Sequence, residues 1–593
     1  MDSEAFDIII VGGGTAGPVL ANRLSEDKNL QVLLLEAGED LTADPRVNNP
    51  SGAAGLLAVP SSTNWGFETT SQESLRGRKN IAPAGRLLGG SSTVNGFAFL
   101  PNSKASIDAW AGLGNPGWDW PSFSKSMGRF GLASTAGTEN RSPLQLTIPE
   151  EDSQWPSTWR DTLSKLGFPV CTNVFSGELL GSLMGPETIN LKKKRSSAGT
   201  AYLNDSTRSR DNLKIRTDAL VEKIICDKSE ITTATAVQYR NTRDGALKIV
   251  EARKEIIISA GALNSPRLLE LSGIGNPELL RKLGINPIID NPHVGENLQN
   301  HPMCTLAFEA LDEEGFETLD QLFRKDPNAI SAAQSAYQKG AGPLSKSNLN
   351  TLAQLPIQNT TDFTRILDDL IPKNQGETER SLMKESEAFV RSILSSPSEA
   401  SGCYMTGPGF MCFDGDGSLM APPLGTEKYF TIAIHLAHPL SRGSVHVTSP
   451  SAPSSSSGLS IDPKYFTHPL DLEVLARHVQ LAETIATSEP LSSHLKHGGK
   501  RGPGMPEAGG FSDIDKAKDY LINWSKGAHH WTGSCAMAPR ELGGVVDHEL
   551  RVYGCRNLRV CDASIIPIAP RSNPQGVIYG VAEHGAHIIH STL

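Results

Sequence analysis

The sequence predicts a mixed α/β fold, α+β overall, in which one domain has a parallel sheet and a second domain has an antiparallel sheet. Three observations predict it. A short apolar strand at residues 6–11 leads into a glycine-rich turn and a helix. Strand-like stretches, two of them at 429–440 and 442–450, recur far from that unit. The chain has 593 residues, which is enough for two or more domains.

The N-terminal stretch, residues 6–24, predicts a strand, a tight turn and a helix. Five of its first six residues are apolar, Asp7 being the exception, and most of them are β-branched, as expected of a strand buried on both faces of a parallel sheet. Gly12, Gly14 and Gly17 follow in G-x-G-x-x-G spacing. Gly12 permits the tight turn, Gly14 lets the backbone approach a pyrophosphate, and Gly17 lets the helix pack on the strand. This Rossmann-like arrangement directs the free N–H groups of the helix N-terminus at phosphates.

A second apolar run, residues 31–35, ends at an acidic residue, Glu36. An acid at this point of a strand–turn–helix–strand unit is placed to bind ribose hydroxyls. The complete unit therefore predicts a bound dinucleotide, although it does not separate FAD from NAD. Pro18 is expected in the first turn of the helix, where its missing N–H is not needed.

Composition and charge exclude several classes of protein. Hydrophobic residues make up 38% and charged residues 20% of the chain, and the net charge is −10. An acidic chain lacks the basic field that nucleic acids require, and the short basic run "KKKR" at 192–195 predicts a solvated loop. The sequence shows no signal peptide and no apolar stretch of membrane-spanning length. We therefore expect a soluble, cytoplasmic protein that binds neither nucleic acid nor a membrane.

Cysteine and histidine spacing predicts no metal site. Eight cysteines are spread along the chain without a C-x-x-C pair, which gives no zinc signature and no disulfide framework. Scattered free thiols fit a reducing compartment. His435, His438 and His446 lie on strand-like stretches without acids nearby in the sequence, so we expect structural roles for them.

Five blocks along the chain share one resemblance. Besides the N-terminal unit, they read "PAGRLLGGSSTVNGFAF" (83–99), "GALNSPRLLELSGIG" (261–275), "HVGENLQNHP" (293–302), and "HHWTGSCAM" (529–537) followed by "VVDHELRVYGCRNLRVCDASIIPIAPRSNPQGVIYGVAE" (545–583). Together they resemble the glucose–methanol–choline (GMC) oxidoreductases, which are FAD-dependent enzymes. The resemblance spans residue 6 to about residue 590 and is weakest from about 310 to 430.

The resemblance implies two discontinuous domains. Residues 1–105, 195–310 and 530–593 would form a Rossmann-like FAD-binding domain. Residues 106–194 and 311–529 would form the substrate-binding domain with its antiparallel sheet. Within the second domain, the glycine-rich stretch 401–417 predicts a loop, which either lines a substrate entrance or lies on the surface.

The resemblance also implies which residues contact FAD. Gly90 and Ser91 offer N–H groups and a hydroxyl without bulk, which suits close contact with a pyrophosphate or a flavin edge. Asn95 would lie near the flavin, and Val221 would meet the adenine through its backbone. The other residues implied around the cofactor are Thr15, Ala16, Ala37, Trp65, Arg86, Gly96, Asp562, Ala563 and Gln575.

The bond between protein and FAD is predicted to be noncovalent. Some relatives tether FAD through a histidine directly before the residue that corresponds to Asn95. In this chain that position is Val94, which cannot form such a bond.

The paired histidines His529 and His530 contain the candidate catalytic base. The family's base stands in an H-x-x-G-[ST]-C arrangement, and only His530 has Gly533 three residues later. His529 is expected to face its own loop or a structural partner. The family's second catalytic position, histidine or asparagine, corresponds to Asn573 in "RSNPQG".

The chemistry accounts for these residue types. A flavin can accept the hydride of an alcohol, but it does not remove the hydroxyl proton, and a histidine can. Asn573 would donate an uncharged hydrogen bond to the substrate oxygen. The sequence thus predicts oxidation of a primary or secondary alcohol to an aldehyde or ketone, with His530 as the base.

The sequence leaves alternatives for the substrate, for the electron acceptor and for the type of reaction. Phe97, Phe99 and Trp531 indicate an aromatic or apolar alcohol. The electron acceptor is either oxygen or another molecule. A second reading is a non-redox lyase or cyclase that keeps FAD and uses His530 only as acid and base. A third, a flavin-binding protein without catalysis, is disfavoured by the intact His530 and Asn573.

Overall fold

The structure is a computed structural model that describes residues 4–50, 56–57, 62–133, 142–228, 230–349, 351–358, 360–373, 380–450 and 458–593. The strands are β1 (Ala5–Val11), β2 (Val32–Leu35), β3 (Phe67–Glu68), β4 (Ile81–Ala82), β5 (Gly181–Met184), β6 (Leu213–Arg216), β7 (Ala219–Asp227), β8 (Thr233–Asn241), β9 (Leu247–Ile258), β10 (Ile274–Gly275), β11 (Ile289–Asp290), β12 (Pro302–Ala310), β13 (Thr351–Leu355), β14 (Gly402–Gly407), β15 (Lys428–Leu436), β16 (Ser444–Val447), β17 (Leu459–Asp462), β18 (Lys526–Gly527) and β19 (Leu558–Val560).

The helices lie between and after groups of these strands along the chain. They are α1 (Gly17–Leu24), α2 (Pro45–Asn48), α3 (Ser91–Val94), α4 (Lys104–Gly112), α5 (Trp120–Met127), α6 (Trp155–Lys165), α7 (Ala198–Ala201), α8 (Asp205–Arg208), α9 (Gly261–Leu271), α10 (Pro277–Lys282), α11 (Asp320–Phe323), α12 (Pro327–Gln338), α13 (Thr361–Leu370), α14 (Leu382–Leu394), α15 (Pro469–Ala486), α16 (Ile514–Trp524) and α17 (Gln575–Thr592). Within the described ranges, none of these helices is long and apolar enough to cross a membrane.

The first sheet has seven strands in the order β6-β2-β1-β9-β8-β7, and β19 pairs with the end of β9. Strands β6, β2, β1 and β9 run parallel, whereas β7, β8 and β9 form antiparallel pairs. The central residues Ile8, Ile9 and Ile10 are fully buried, as the apolar run predicts for a strand covered on both faces. This confirms the α/β fold class.

The glycine turn brings α1 directly onto the sheet. Gly12 has a φ of +105°, and a Cβ there would lie 2.5 Å from the carbonyl oxygen of Ser259. A Cβ on Gly17 would lie 1.9 Å from the carbonyl oxygen of Gly12. Only glycine permits both contacts. Pro18 occupies the first turn of α1, as predicted.

The second sheet has six antiparallel strands in the order β18-β12-β15-β14-β13-β5. Strand β12 closes the range 195–310 assigned to the FAD domain, yet it pairs with β15 in this second sheet. The prediction of a loop at 401–417 is wrong for its first part, because residues 402–407 form the buried strand β14. Gly402 belongs there since a Cβ would lie 2.6 Å from the His478 ring, a close approach that glycine in a strand often marks.

A histidine joins the β16–β17 hairpin to α9. His446 Nδ1 lies 2.7 Å from Glu270 Oε1, and its Nε2 lies 3.0 Å from Glu296 Oε1. Both acids are distant from His446 in the sequence, so the lack of acids in its own stretch gave no sign of this contact. Burial lowers the pKa of His446, but hydrogen bonds to the two carboxylates outweigh it and raise the pKa to about 9.

This ion pair gives a pH-dependent stability. A histidine whose pKa rises on folding stabilises the protein fully below its unfolded pKa of 6.5, and this contribution is lost as pH rises through about 9. We expect His446→Gln to lower the unfolding free energy at pH 6 by about 1–3 kcal/mol, because it leaves buried Glu270 without its partner. The difference should vanish above pH 9.

The measurement is the urea midpoint of both proteins across this pH range. His590→Gln removes an exposed histidine near Asp27 at the end of the chain and serves as the control. A midpoint difference that persists unchanged at high pH would contradict the ion-pair account.

Candidate functional site

A cavity of about 510 Å³ lies where the carboxyl ends of β1, β2 and β9 meet the C-terminal segment. Ligands of open α/β sheets bind at this edge. Both catalytic candidates, His530 and Asn573, line it. The predicted cofactor residues that line it are Gly12, Gly14, Thr15, Ala16, Glu36, Ala37, Trp65, Gly90, Ser91, Asn95, Gly96, Val221, Asp562, Ala563 and Gln575.

Two predicted cofactor residues lie behind the cavity wall. Gly17 is enclosed between α1 and the turn after β1, as its predicted packing role requires. Arg86 places its guanidinium carbon 4.9 Å from the ring centroid of Trp65, which itself lines the cavity. The positive charge of Arg86 also lowers the pKa of Glu36, although burial has the larger, opposite effect.

The two glycine loops form a cradle that fits a pyrophosphate. A Cβ on Gly90 would lie 2.7 Å from Gly14 Cα, so the loops contact each other without side chains. A Cβ on Gly14 would have only the Ser259 carbonyl oxygen near it, at 4.0 Å, and would point into free space of the cavity. The N-terminus of α1 borders this space, and a helix N-terminus suits an anionic group.

Glu36 lies at the end of β2 with both carboxylate oxygens held by backbone. Gly13 N–H donates to Oε2 at 2.7 Å and Gly38 N–H donates to Oε1 at 2.8 Å. Burial raises the pKa of this carboxyl to about 7, against the hydrogen bonds that lower it. The side chain therefore occupies a fixed position on the cavity wall, as a ribose-binding acid requires.

Asp562 fixes the opposite wall. Its Oδ2 accepts from Gly261 N–H at 2.8 Å and from the Ser265 hydroxyl, and its Oδ1 accepts from Ser564 N–H at 2.7 Å. The carboxylate thus joins the start of α9 to the C-terminal segment. Ala563 follows directly and faces the cavity.

The loop of residues 95–98 is held by side chains from three parts of the chain. Asn95 Nδ2 donates to Gln575 Oε1 at 2.5 Å, and Gln575 Nε2 donates to the carbonyl oxygens of Phe97 and Ala98. Phe97 has a φ of +70°, an unusual conformation for an aromatic residue. The Arg195 guanidinium donates to the side-chain oxygen and to the carbonyl oxygen of Asn95. The solvated loop predicted for 192–195 is wrong for Arg195, which is 1% exposed.

His530 is held by the segment that precedes β12. Its backbone N–H donates to Asn300 Oδ1 at 2.8 Å, and its Nδ1 lies 2.7 Å from His301 Nδ1. His301 Nε2 lies 2.9 Å from the carbonyl oxygen of Pro570. Because a carbonyl only accepts, His301 carries its proton on Nε2 and accepts at Nδ1. His530 therefore carries its proton on Nδ1, which leaves the lone pair on Nε2.

That lone pair faces Asn573. The amide Nδ2 of Asn573 lies 3.2 Å from His530 Nε2, and the Ser572 hydroxyl donates to Asn573 Oδ1 at 3.3 Å. This orients the amide with its N–H groups towards His530. Burial, reinforced by the nearby His301, lowers the pKa of His530 well below 6.5. His530 is therefore neutral at physiological pH, and its unprotonated Nε2 accepts from Asn573 at the cavity wall.

His529, expected to face its own loop or a structural partner, also lines the cavity. Its φ of +61° is left-handed, and this turn of the backbone lets two neighbouring side chains reach the same space. Its Nδ1 is buried and has no hydrogen-bond partner among the described residues. Burial and the nearby Lys526 lower the pKa of His529 well below 6.5.

Sequence reasoning missed His301 and Arg195. His301 stands in the quoted block 293–302, but its spacing gives no hint that it meets His530. Its ring stacks on that of His435, with centroids 4.9 Å apart, so His435 supports the base indirectly. Within the described ranges, no group of three or more His, Cys, Asp or Glu side chains is arranged to hold a metal ion.

Comparison with known proteins gives consistent matches. The N- and C-terminal sequence models of the GMC oxidoreductases match residues 6–303 and 439–582. The dehydrogenase mpl7 of Monascus purpureus is 33% identical over 98% of this chain and 96% of its own. An FAD-dependent oxidoreductase from Chaetomium thermophilum superposes with a TM-score of 0.85, at 25% identity over 99% of both chains. A variant of the Aspergillus oryzae formate oxidase gives a TM-score of 0.84, at 25% identity over 100% of this chain and 99% of its own.

Proposed function

The chain belongs to the GMC oxidoreductase family, whose members bind FAD, and from that premise we propose that it oxidises a small-molecule alcohol to an aldehyde or ketone. The observation that carries the proposal is the unprotonated Nε2 of His530, which contacts the Asn573 amide nitrogen at 3.2 Å in the cavity that holds the cofactor cradle. Alcohol oxidation needs both a proton acceptor and a donor to the oxygen at one point.

The residues that would hold FAD fit its parts. The glycine cradle of Gly14 and Gly90 suits the pyrophosphate, Glu36 suits the ribose, and the loop 95–98 with Asp562 and Ala563 suits the flavin ring. When bound, FAD supplies the acceptor for the substrate's hydride. The side chains around it would orient the substrate, remove its hydroxyl proton and stabilise the charge on its oxygen.

The proton would leave through His530. A substrate hydroxyl that replaces the contact between these two side chains would donate to His530 Nε2 and accept from Asn573 Nδ2. As the C–H bond breaks, the hydroxyl proton moves to His530, and the Asn573 amide stabilises the charge that develops on the oxygen. His301 keeps the proton of His530 on Nδ1 throughout, so the basic nitrogen always faces the substrate.

The cavity wall near the base supports an aromatic or apolar alcohol. Phe97, Ala528 and Trp531 line the same cavity as His530, and Ala528 packs against an apolar cluster that includes Met303 and Met405 of the second sheet. Such a wall binds an apolar side chain of the substrate by the hydrophobic effect.

The alternative is a lyase or cyclase that uses His530 as acid and base without net redox. Benzyl alcohol and related aromatic and aliphatic alcohols, mixed with the enzyme in the absence of oxygen, distinguish the two. An alcohol oxidoreductase loses its yellow flavin colour with at least one of them. A flavin that stays oxidised while the substrate is converted supports the lyase or cyclase. Readmitting oxygen, or adding a quinone acceptor, then tests which acceptor restores the colour.

Noncovalent attachment of FAD is a separate prediction. Val94 ends α3 and lines the cavity at the position of the tethering histidine in some relatives. Its side chain cannot form a bond to the flavin, so denaturation should release all yellow colour into the supernatant without proteolysis. Flavin that stays on the precipitated polypeptide would contradict this.

A further inference from the structure

Arg195 is a buried cation that packs against the loop 95–98. Its Nη1 donates to Asn95 Oδ1 at 3.0 Å and to the Ser92 carbonyl oxygen at 3.3 Å, and its Nη2 donates to the Asn95 carbonyl oxygen at 3.0 Å. The guanidinium carbon lies 3.7 Å from the ring centroid of Phe97. Asn95 and Phe97 both line the cavity, so one layer of residues separates this charge from the space where the flavin would lie.

Within the part of the chain that the structure describes, the charge of Arg195 has no counterion. Among the described residues no Asp or Glu carboxylate interacts with it, and its Nε has no hydrogen-bond partner there. Burial without an acid lowers the pKa of the guanidinium to about 9. Buried charges are ordinarily paired, because an isolated one costs several kcal/mol. If the loop needed only a support, an uncharged side chain would carry a smaller cost.

We propose that Arg195 is a positioning residue whose uncompensated charge raises the reduction potential of the bound FAD. A hydride brings two electrons and one proton to the flavin, which therefore gains negative charge on reduction. A fixed cation in a low-dielectric site stabilises that product more than the neutral oxidised ring. Arg195 thus favours hydride transfer from the alcohol, and the inference rests on the proposed function.

The test measures the FAD midpoint potential of purified holoenzyme variants against redox dyes. We expect Arg195→Gln to shift the reduction equilibrium at least tenfold towards oxidised FAD, which equals about 30 mV for a two-electron couple. Arg195→Lys keeps the charge and should stay within about threefold of the wild-type equilibrium. Arg195→Met, whose chain has similar length, repeats the test if the glutamine variant fails to fold.

Arg442→Gln is the matched control. Arg442 is also held by carbonyl oxygens, those of Pro439 and Ser441, but neither lines the cavity. Burial lowers its pKa to about 10. The potential of this variant should equal that of the wild type, whatever its effect on stability.

Two results would overturn the inference. One is an unchanged potential in both Arg195→Gln and Arg195→Met. The other is an equal fall in Arg195→Lys and Arg195→Gln, which would assign the effect to the loop geometry rather than to the charge. Neither result affects the proposed function, which fails instead if wild-type FAD is not reduced by any alcohol.

Discussion

Replacing His530 with alanine is expected to slow the reduction of FAD by the substrate at least ~10²-fold while FAD stays bound, because the variant lacks the general base. The cofactor cradle is formed by other residues, so binding should be retained. The measurement is stopped-flow reduction without oxygen, together with the flavin content of the purified variant. Raising the pH should partly restore the rate, since a substrate that is already an alkoxide needs no base.

Two neighbouring variants sharpen this prediction. The rate of FAD reduction should fall much less in His529→Ala than in His530→Ala, although both side chains line the cavity. The reason is that the lone pair facing Asn573 belongs to His530. The rate in Asn573→Ala should lie between those of the two histidine variants, since this change removes one hydrogen bond to the developing alkoxide and keeps the proton acceptor. A larger loss in His529→Ala than in His530→Ala would reverse the assignment of the base.

Gly14→Leu is expected to abolish FAD binding. The Cβ of residue 14 points into the free space between the two glycine loops, and a leucine side chain would fill the path of the pyrophosphate. The purified variant should be colourless, and added FAD should not raise its thermal midpoint. Gly112→Leu is the control, because a Cβ there meets no atom within 4 Å at the exposed end of α4. Stoichiometric FAD in Gly14→Leu would show that the cofactor lies elsewhere.

The parts of the site that follow from local spacing could be predicted from the sequence. The glycine turn works through contacts between residues close in the chain, and the Gly12–Gly17 contact explains the spacing. The H-x-x-G spacing likewise has a physical reason. Gly533 has a φ of +90°, and a Cβ there would lie 2.5 Å from the Asn297 carbonyl oxygen, so the segment after His530 turns tightly against the one that carries His301.

The parts that depend on distant pairing could not be predicted. His301 fixes the proton of His530 across 229 residues of sequence, and Glu270 meets His446 across 176. The run "KKKR" has a uniform charge, yet Arg195 alone is buried, because Ser92 of α3 and Asn95 of the loop 95–98 supply carbonyl oxygens to its guanidinium. The strand at 402–407 was hidden by its glycines and sulfur-containing residues, which do not alternate as strand patterns usually do.

The most direct test of the central claim is a single turnover without oxygen, with an accepted alcohol and its analogue deuterated at the carbinol carbon. Removal of a proton by His530 and transfer of a hydride to FAD predict that the flavin bleaches, that one carbonyl product forms per FAD, and that deuterium slows the bleaching severalfold. Conversion of the substrate with FAD fully oxidised throughout would contradict the account.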